Sequence, residues 1–121
     1  MKVNLSTHEM YYLLESCLKG SHLRSTTIIR FVDEWYSKFT KKQRENLYNW
    51  VLRNVYGGEF KPRPQLFGAD EIFMARYNPD NQYRVTLING DTVEAFKMKD
   101  RYYVLSNRFI DENCIIKVEK I

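Results

Sequence analysis

The sequence predicts an α+β domain: three N-terminal helices packed on a C-terminal antiparallel sheet of about five short strands, a meander able to curl into a small barrel. Three observations carry that prediction. Apolar residues recur at helical spacing from Met10 to Val55. From Tyr83 onward the pattern changes to the period-two alternation of half-buried strands. Between them, Gly57 to Asp70 holds three of the five glycines and two of the three prolines, the composition of a connection. With 121 residues the chain reads as one domain over 1–121, with a helical half at 1–56, a crossover at 57–70 and a β half at 71–121.

The first helix is announced by Ser6-Thr-His-Glu9, a capping box with Leu5 and Met10 placed as a hydrophobic staple. Met10, Leu13, Leu14, Cys17 and Leu18 then form one apolar stripe, and Gly20 is the expected stop. A second helix begins near Ser21 or Ser25 and runs to about Lys38, with Ile28, Val32, Trp35 and Phe39 on one face. Thr40-Lys-Lys-Gln43 is another capping box, so the third helix follows almost without a loop. Leu47, Trp50, Val51 and Val55 line its inner face, and Gly57-Gly58 ends it. Lys38, Lys41, Lys42 and Arg44 cluster at the tight corner between these two helices.

In the crossover, Pro62 and Pro64 favour an extended, semi-rigid path, and Phe60, Leu66 and Phe67 pin it to the core. Ile72 to Tyr77 reads as a first strand, and Asn78-Pro-Asp-Asn81 as a turn. The meander from Gln82 to Ser106 follows. Its first turn, Asn89-Gly90, suits a type I′ hairpin, and Lys99-Asp100 turns the chain again. In the strand Thr92 to Met98, Val93 and Ala95 share one face while Phe96 and Met98 lie on the other. A bulge, or cover on both sides, accounts for that break. Asn107 to Asn113 forms a short turn or single helical turn, and Cys114 to Lys120 closes the sheet.

Val85-Thr-Leu-Ile-Asn-Gly90, then Asp100-Arg-Tyr-Tyr-Val-Leu105, then Ile115-Ile116, is similar in rhythm to the small SH3/Sm-like barrels of the Sm-like RNA-binding proteins. The resemblance covers about a third of the chain. That family's fourth strand has no clear counterpart and its nucleotide-contacting residues are not recognisable, so no site residue is carried over.

Composition and motifs exclude more chemistry than they indicate. At 44% hydrophobic and 28% charged, the chain is that of an ordinary soluble protein. No apolar run approaches a membrane span, and no signal-peptide layout opens the chain, so no membrane and a cytoplasmic setting are expected. Cys17 and Cys114 are too few for a disulfide scaffold. His8 and His22 have no partners at ligand spacing, so neither metal nor cofactor is expected. There is no nucleophile elbow or phosphate-cradling glycine loop. The nearest enzyme pattern is a metal-dependent nuclease, with Asp80 followed by Glu94-Ala-Phe-Lys97. That spacing is one residue too long for both side chains to share a strand face, unless a bulge intervenes.

Binding remains. The net charge of +4 sits wholly in residues 1–56, with nine Lys/Arg against five Asp/Glu, while residues 57–121 carry ten of each. An anionic partner should therefore meet the helices first. The third predicted helix carries a polar stripe of Lys42, Asn46, Asn49, Arg53 and Tyr56, whose groups suit base edges, phosphate and stacking. Lys38, Lys41, Lys42 and Arg44 would add phosphate contacts. Nine Tyr, seven Phe and two Trp exceed what one small core needs, and adjacent Tyr102 and Tyr103 must face opposite ways on a strand. Exposed tyrosine beside arginine is the composition of protein interfaces as well as of RNA-stacking sheets. The expectation is a small non-catalytic protein that engages or inhibits a larger partner, a protein or ribonucleoprotein. Its size class is that of phage and mobile-element accessory proteins. Nucleic-acid binding through the third predicted helix is the alternative.

Overall fold

The computed structural model describes residues 25–61 and 68–121. Three helices precede a five-stranded antiparallel sheet: α1 (Ser25–Lys38), α2 (Lys41–Asn54), α3 (Ala69–Tyr77), then β1 (Gln82–Leu87), β2 (Thr92–Met98), β3 (Arg101–Leu105), β4 (Arg108–Phe109) and β5 (Ile115–Lys120). The α+β class is as the sequence predicts, but its membership differs. The first predicted helix, with its capping box, His8 and Cys17, lies outside the described residues, as do His22 and residues 62–67 of the crossover. α1 and α2 are the second and third predicted helices.

The expected strand Ile72–Tyr77 is instead the last helix, α3. Ile72, Phe73, Met74 and Tyr77 are all buried, because α3 touches α1, α2 and β2. A helix enclosed on several sides loses its apolar stripe and reads as a continuous apolar run, which periodicity cannot tell from a strand. Its ends are better marked. Asp70 and Glu71 lie in the first turn, where the helix dipole favours negative charge. Asn78, extended before Pro79, stops it.

α2 starts on the predicted capping box. The Thr40 hydroxyl accepts from the Gln43 N–H at 3.2 Å, and the Gln43 side chain accepts from the Thr40 N–H at 2.9 Å. It ends where Gly57 and Gly58 take positive φ and the Gly58 N–H reaches back to the Leu52 carbonyl at 2.8 Å.

The strand order is β4-β3-β2-β1-β5. The meander β1–β4 is antiparallel throughout, and β5 returns to the far side of β1, so among the described residues β4 and β5 are the two edges and the sheet does not close into a barrel. The first hairpin is not type I′: of Asn89 and Gly90 only Gly90 has positive φ (91°). The Gly90 N–H bonds to the Leu87 carbonyl and the Leu87 N–H to the Asp91 carbonyl, a three-residue loop with glycine at its left-handed position. The two-residue turn falls at Lys99 and Asp100, both at positive φ (52° and 66°). β2 pairs with β1 without a register break. The phase break is therefore two-sided cover, since adjacent Ala95 and Phe96 are both buried.

The core joins Val32 and Trp35 of α1, Leu47 and Val51 of α2, the inner residues of α3, and Phe96, Met98 and Tyr103 of the sheet. Polar bonds fasten the same elements. The Tyr77 hydroxyl donates to the Val32 carbonyl at 2.9 Å. Asp33 of α1 accepts from the Ser106 hydroxyl at 2.6 Å and from its N–H at 3.1 Å. Tyr36 lies between two guanidinium groups, Arg44 at 4.1 Å and Arg76 at 3.9 Å from its ring centre.

Candidate functional site: the groove at the β3–β4 edge

β4 is short because only Arg108 and Phe109 pair with β3, and the register shifts between Tyr103 and Leu105. The chain then turns outward. The Ile110 N–H still reaches the Tyr102 carbonyl at 2.7 Å, and the Asp111 carboxylate caps the short turn Glu112–Cys114 by accepting from the Asn113 N–H at 3.0 Å. This geometry opens a groove of about 500 Å³ lined by Arg101, Tyr102, Phe109, Ile110, Asp111 and Glu112, among others.

Phe109 is its most distinctive element, an aromatic ring 52% exposed on an edge strand. It is nevertheless held in place. The Arg101 guanidinium lies 4.4 Å from the ring centre, and Tyr103 meets it edge-on at 6.0 Å from the core side. A ring fixed before binding has little rotamer freedom left to lose, which is what an interface anchor requires. Tyr102 is half-buried, edge-on to Tyr83 at 5.3 Å. Leu105, at the end of β3, adds exposed apolar surface.

The sequence-predicted residues separate into three groups. Lys41, Lys42, Asn46, Asn49 and Arg53 are exposed on α2, so the polar stripe exists as a solvated face. Lys38 is also exposed but pairs with Glu34 at 3.1 Å. Three residues have structural roles. Arg44 donates to the carbonyls of Tyr36 and Phe39, at 3.1 and 2.7 Å, and so caps the end of α1 instead of facing a phosphate. Tyr56 stacks on Phe60 at 4.7 Å. Tyr103, 7% exposed and stacked on Phe96, belongs to the core. Of the two adjacent tyrosines, Tyr102 alone reaches the groove.

Arg101 and Phe109 were not singled out in the sequence. The signal was weak: Phe109 falls within what reads as a turn, and one arginine on a strand is unremarkable until pairing places it over a ring.

Glu94 and Lys97, three residues apart on a strand with no register break against β1, face opposite sides, so the nuclease spacing stays unrescued. Among the described residues no three His, Cys, Asp or Glu side chains lie close enough to hold a metal ion. A second cavity, about 370 Å³, lies between α2, α3 and the β2–β3 turn. Its polar lining includes Asn78, Asn81 and Glu71, the last in an ion pair with Lys99 at 3.3 Å. Tyr48 also lines it, its hydroxyl pushed above its ordinary value by burial and then by the Asp80 charge. No helix among the described residues is long and apolar enough to cross a membrane.

Compared with protein-family models, with curated proteins and with solved structures, the chain matches none of them.

Proposed function

We propose that this protein is a non-catalytic binding module that engages or inhibits a larger protein through the groove at the β3–β4 edge. One observation carries the reading. All five exposed large hydrophobics among the described residues (Ile88, Leu105, Phe109, Ile116 and Ile121) belong to the β half, and Phe109 alone combines exposure with fixation by an arginine. Aromatic and arginine anchors beside a groove are the usual energetic centre of a protein interface. The occupant is an apolar or aromatic side chain presented by the partner, with Asp111 and Glu112 on the groove's acidic rim favouring a basic flank.

The second reading, nucleic-acid binding, rests on the exposed stripe of Lys42, Asn46, Asn49 and Arg53 with Lys41 beside it. It has lost Arg44 and Tyr56 to structural roles, which leaves three exposed cations there besides the paired Lys38.

A photo-crosslinking residue placed at Phe109 tests the first reading in cells of the native source. A discrete protein adduct is expected, together with loss of co-purification of that protein when Phe109→Ala is tested in the native background. The triple variant K41E/K42E/R53E should retain the partner, with association slowed and not abolished. Retention by Phe109→Ala with loss in the triple variant would transfer the function to α2.

A further inference from the structure

The other edge of the sheet has different chemistry. β5 runs Ile115-Ile-Lys-Val-Glu-Lys120 and, among the described residues, bonds to β1 on one side only. The Ile121 N–H donates to the Gln82 carbonyl at 2.9 Å, and the register pairs Arg84 with Glu119 and Thr86 with Lys117. Because bonded pairs alternate along an antiparallel ladder, Glu119 and Lys117 direct their backbone groups to β1. Val118 and Lys120 therefore turn theirs outward, to the open side.

We infer that β5 pairs with β5 of a second copy of this chain, antiparallel about a two-fold axis through Val118. The charges select that register. Centring the pair on Lys117 would oppose two lysines, and centring it on Glu119 would oppose two glutamates. Centring it on Val118 sets each Lys117 against the partner's Glu119, twice over, and lets the two Val118 residues exchange both of their outward backbone bonds. Opposite charges directly across a strand pair stabilise it, and like charges oppose it. Lys117 and Glu119 already touch within one chain at 2.7 Å. That hydrogen bond holds the Glu119 carboxyl below its usual range and Lys117 above its own, so both are charged at neutral pH.

Apolar residues flank the charged pair. Ile116 is 63% exposed and Ile121 50%, and the same register brings Ile121 beside the partner's Ile115. Lysine on an edge ordinarily deters strand addition. Glu119 two residues later converts that deterrent into selectivity, since a strand lacking the Lys-x-Glu complement would meet an unmatched charge. The edge is short, and pairing it buries less than the roughly 1,600 Å² of a standard interface. The dimer is accordingly weak and concentration-dependent. It uses the edge strand other than the one that carries Phe109, and meets the groove only at Ile115, which also lines it.

Sedimentation equilibrium on the wild type, K117E, E119K and the exchange variant K117E/E119K tests the inference, with circular dichroism to confirm that each folds. Both positions changed, Lys117 and Glu119, are exposed, so folding is expected to survive. The wild type should show reversible dimerisation, each single variant a dissociation constant weakened by about tenfold, and the exchange variant an affinity restored to near the wild-type value. A wild type that stays monomeric up to about 0.5 mM would overturn the inference. So would single variants that dimerise as tightly as the wild type, or an exchange that fails to restore what they lose.

Discussion

On the helical half, the outward residues of α2 are long or polar side chains in water: Lys41, Lys42, Asn46, Asn49 and Arg53. On the β half, Phe109 is equally outward but held between Arg101 and Tyr103. The first surface would have to be ordered at the moment of binding, at roughly 0.5–1.5 kcal/mol for each immobilised flexible side chain. The second is already ordered. The excess positive charge marks the helices as the place where an anion would arrive, yet the fixed anchor lies on the neutral half. Net charge reports where encounter is favoured, and fixed apolar groups report where affinity can be concentrated.

That contrast concerns surfaces only, because the two halves share one core. Replacing Phe96 with Ala should have the largest effect, a loss of about 3–5 kcal/mol, read from the urea midpoint. A single unfolding transition is expected, since Phe96 contacts the same cluster as Val32, Val51 and Phe73. Two resolved transitions would separate the halves and break the comparison at its base.

Asp33→Ala comes next. It removes the acceptor for both Ser106 groups and the carboxylate 3.8 Å from Arg76. About 2–3 kcal/mol should be lost, against about 1 kcal/mol for Ser106→Ala, which deletes one bond and one donor together.

Tyr77→Phe should cost about 1 kcal/mol at neutral pH through its bond to the Val32 carbonyl. Its pH dependence is more informative. Burial pushes the Tyr77 hydroxyl far above its ordinary value, so the native state keeps the proton when the unfolded chain releases it near pH 10. The contribution is complete below that pH and falls as pH rises above it. Thermal melts from pH 9 to 11.5 should show the wild type losing stability more steeply than Tyr77→Phe.

The smallest effect is expected for K41E/K42E/R53E, within about 0.5 kcal/mol of wild-type stability. A larger loss would mean that α2's polar face has contacts of its own.

How much of this was legible in the sequence differs by element. α2 was, because Thr40 and Gln43 cap it and Leu47 and Val51 keep one stripe. The meander was, because Tyr83, Val85 and Leu87 alternate. α3 was not, since Ile72, Phe73 and Met74 are buried in succession and carry no period. The turn chemistry was read at the wrong hairpin: Asn89-Gly90 has the composition of a type I′ turn, but the two positive φ angles fall at Lys99 and Asp100, where tertiary pairing imposes them. Of the site, Tyr102 was legible only as one of an adjacent pair, Tyr102 and Tyr103, of which Tyr103 points to the core, while Arg44, expected at a phosphate, points to the α1 carbonyls. Phe109 and Arg101 acquire meaning only from the pairing of β3 with β4, a contact that no local pattern announces.

The central claim is that the fixed apolar edge, and not the basic helix face, is the functional surface. It is tested most directly by fluorescence anisotropy with labelled random-sequence single- and double-stranded DNA and RNA, titrated from about 20 to 300 mM salt. The expected result is no saturable binding at micromolar protein even at the lowest salt. Micromolar or tighter binding that weakens steeply with salt, and disappears in K41E/K42E/R53E while persisting in Phe109→Ala, would contradict it.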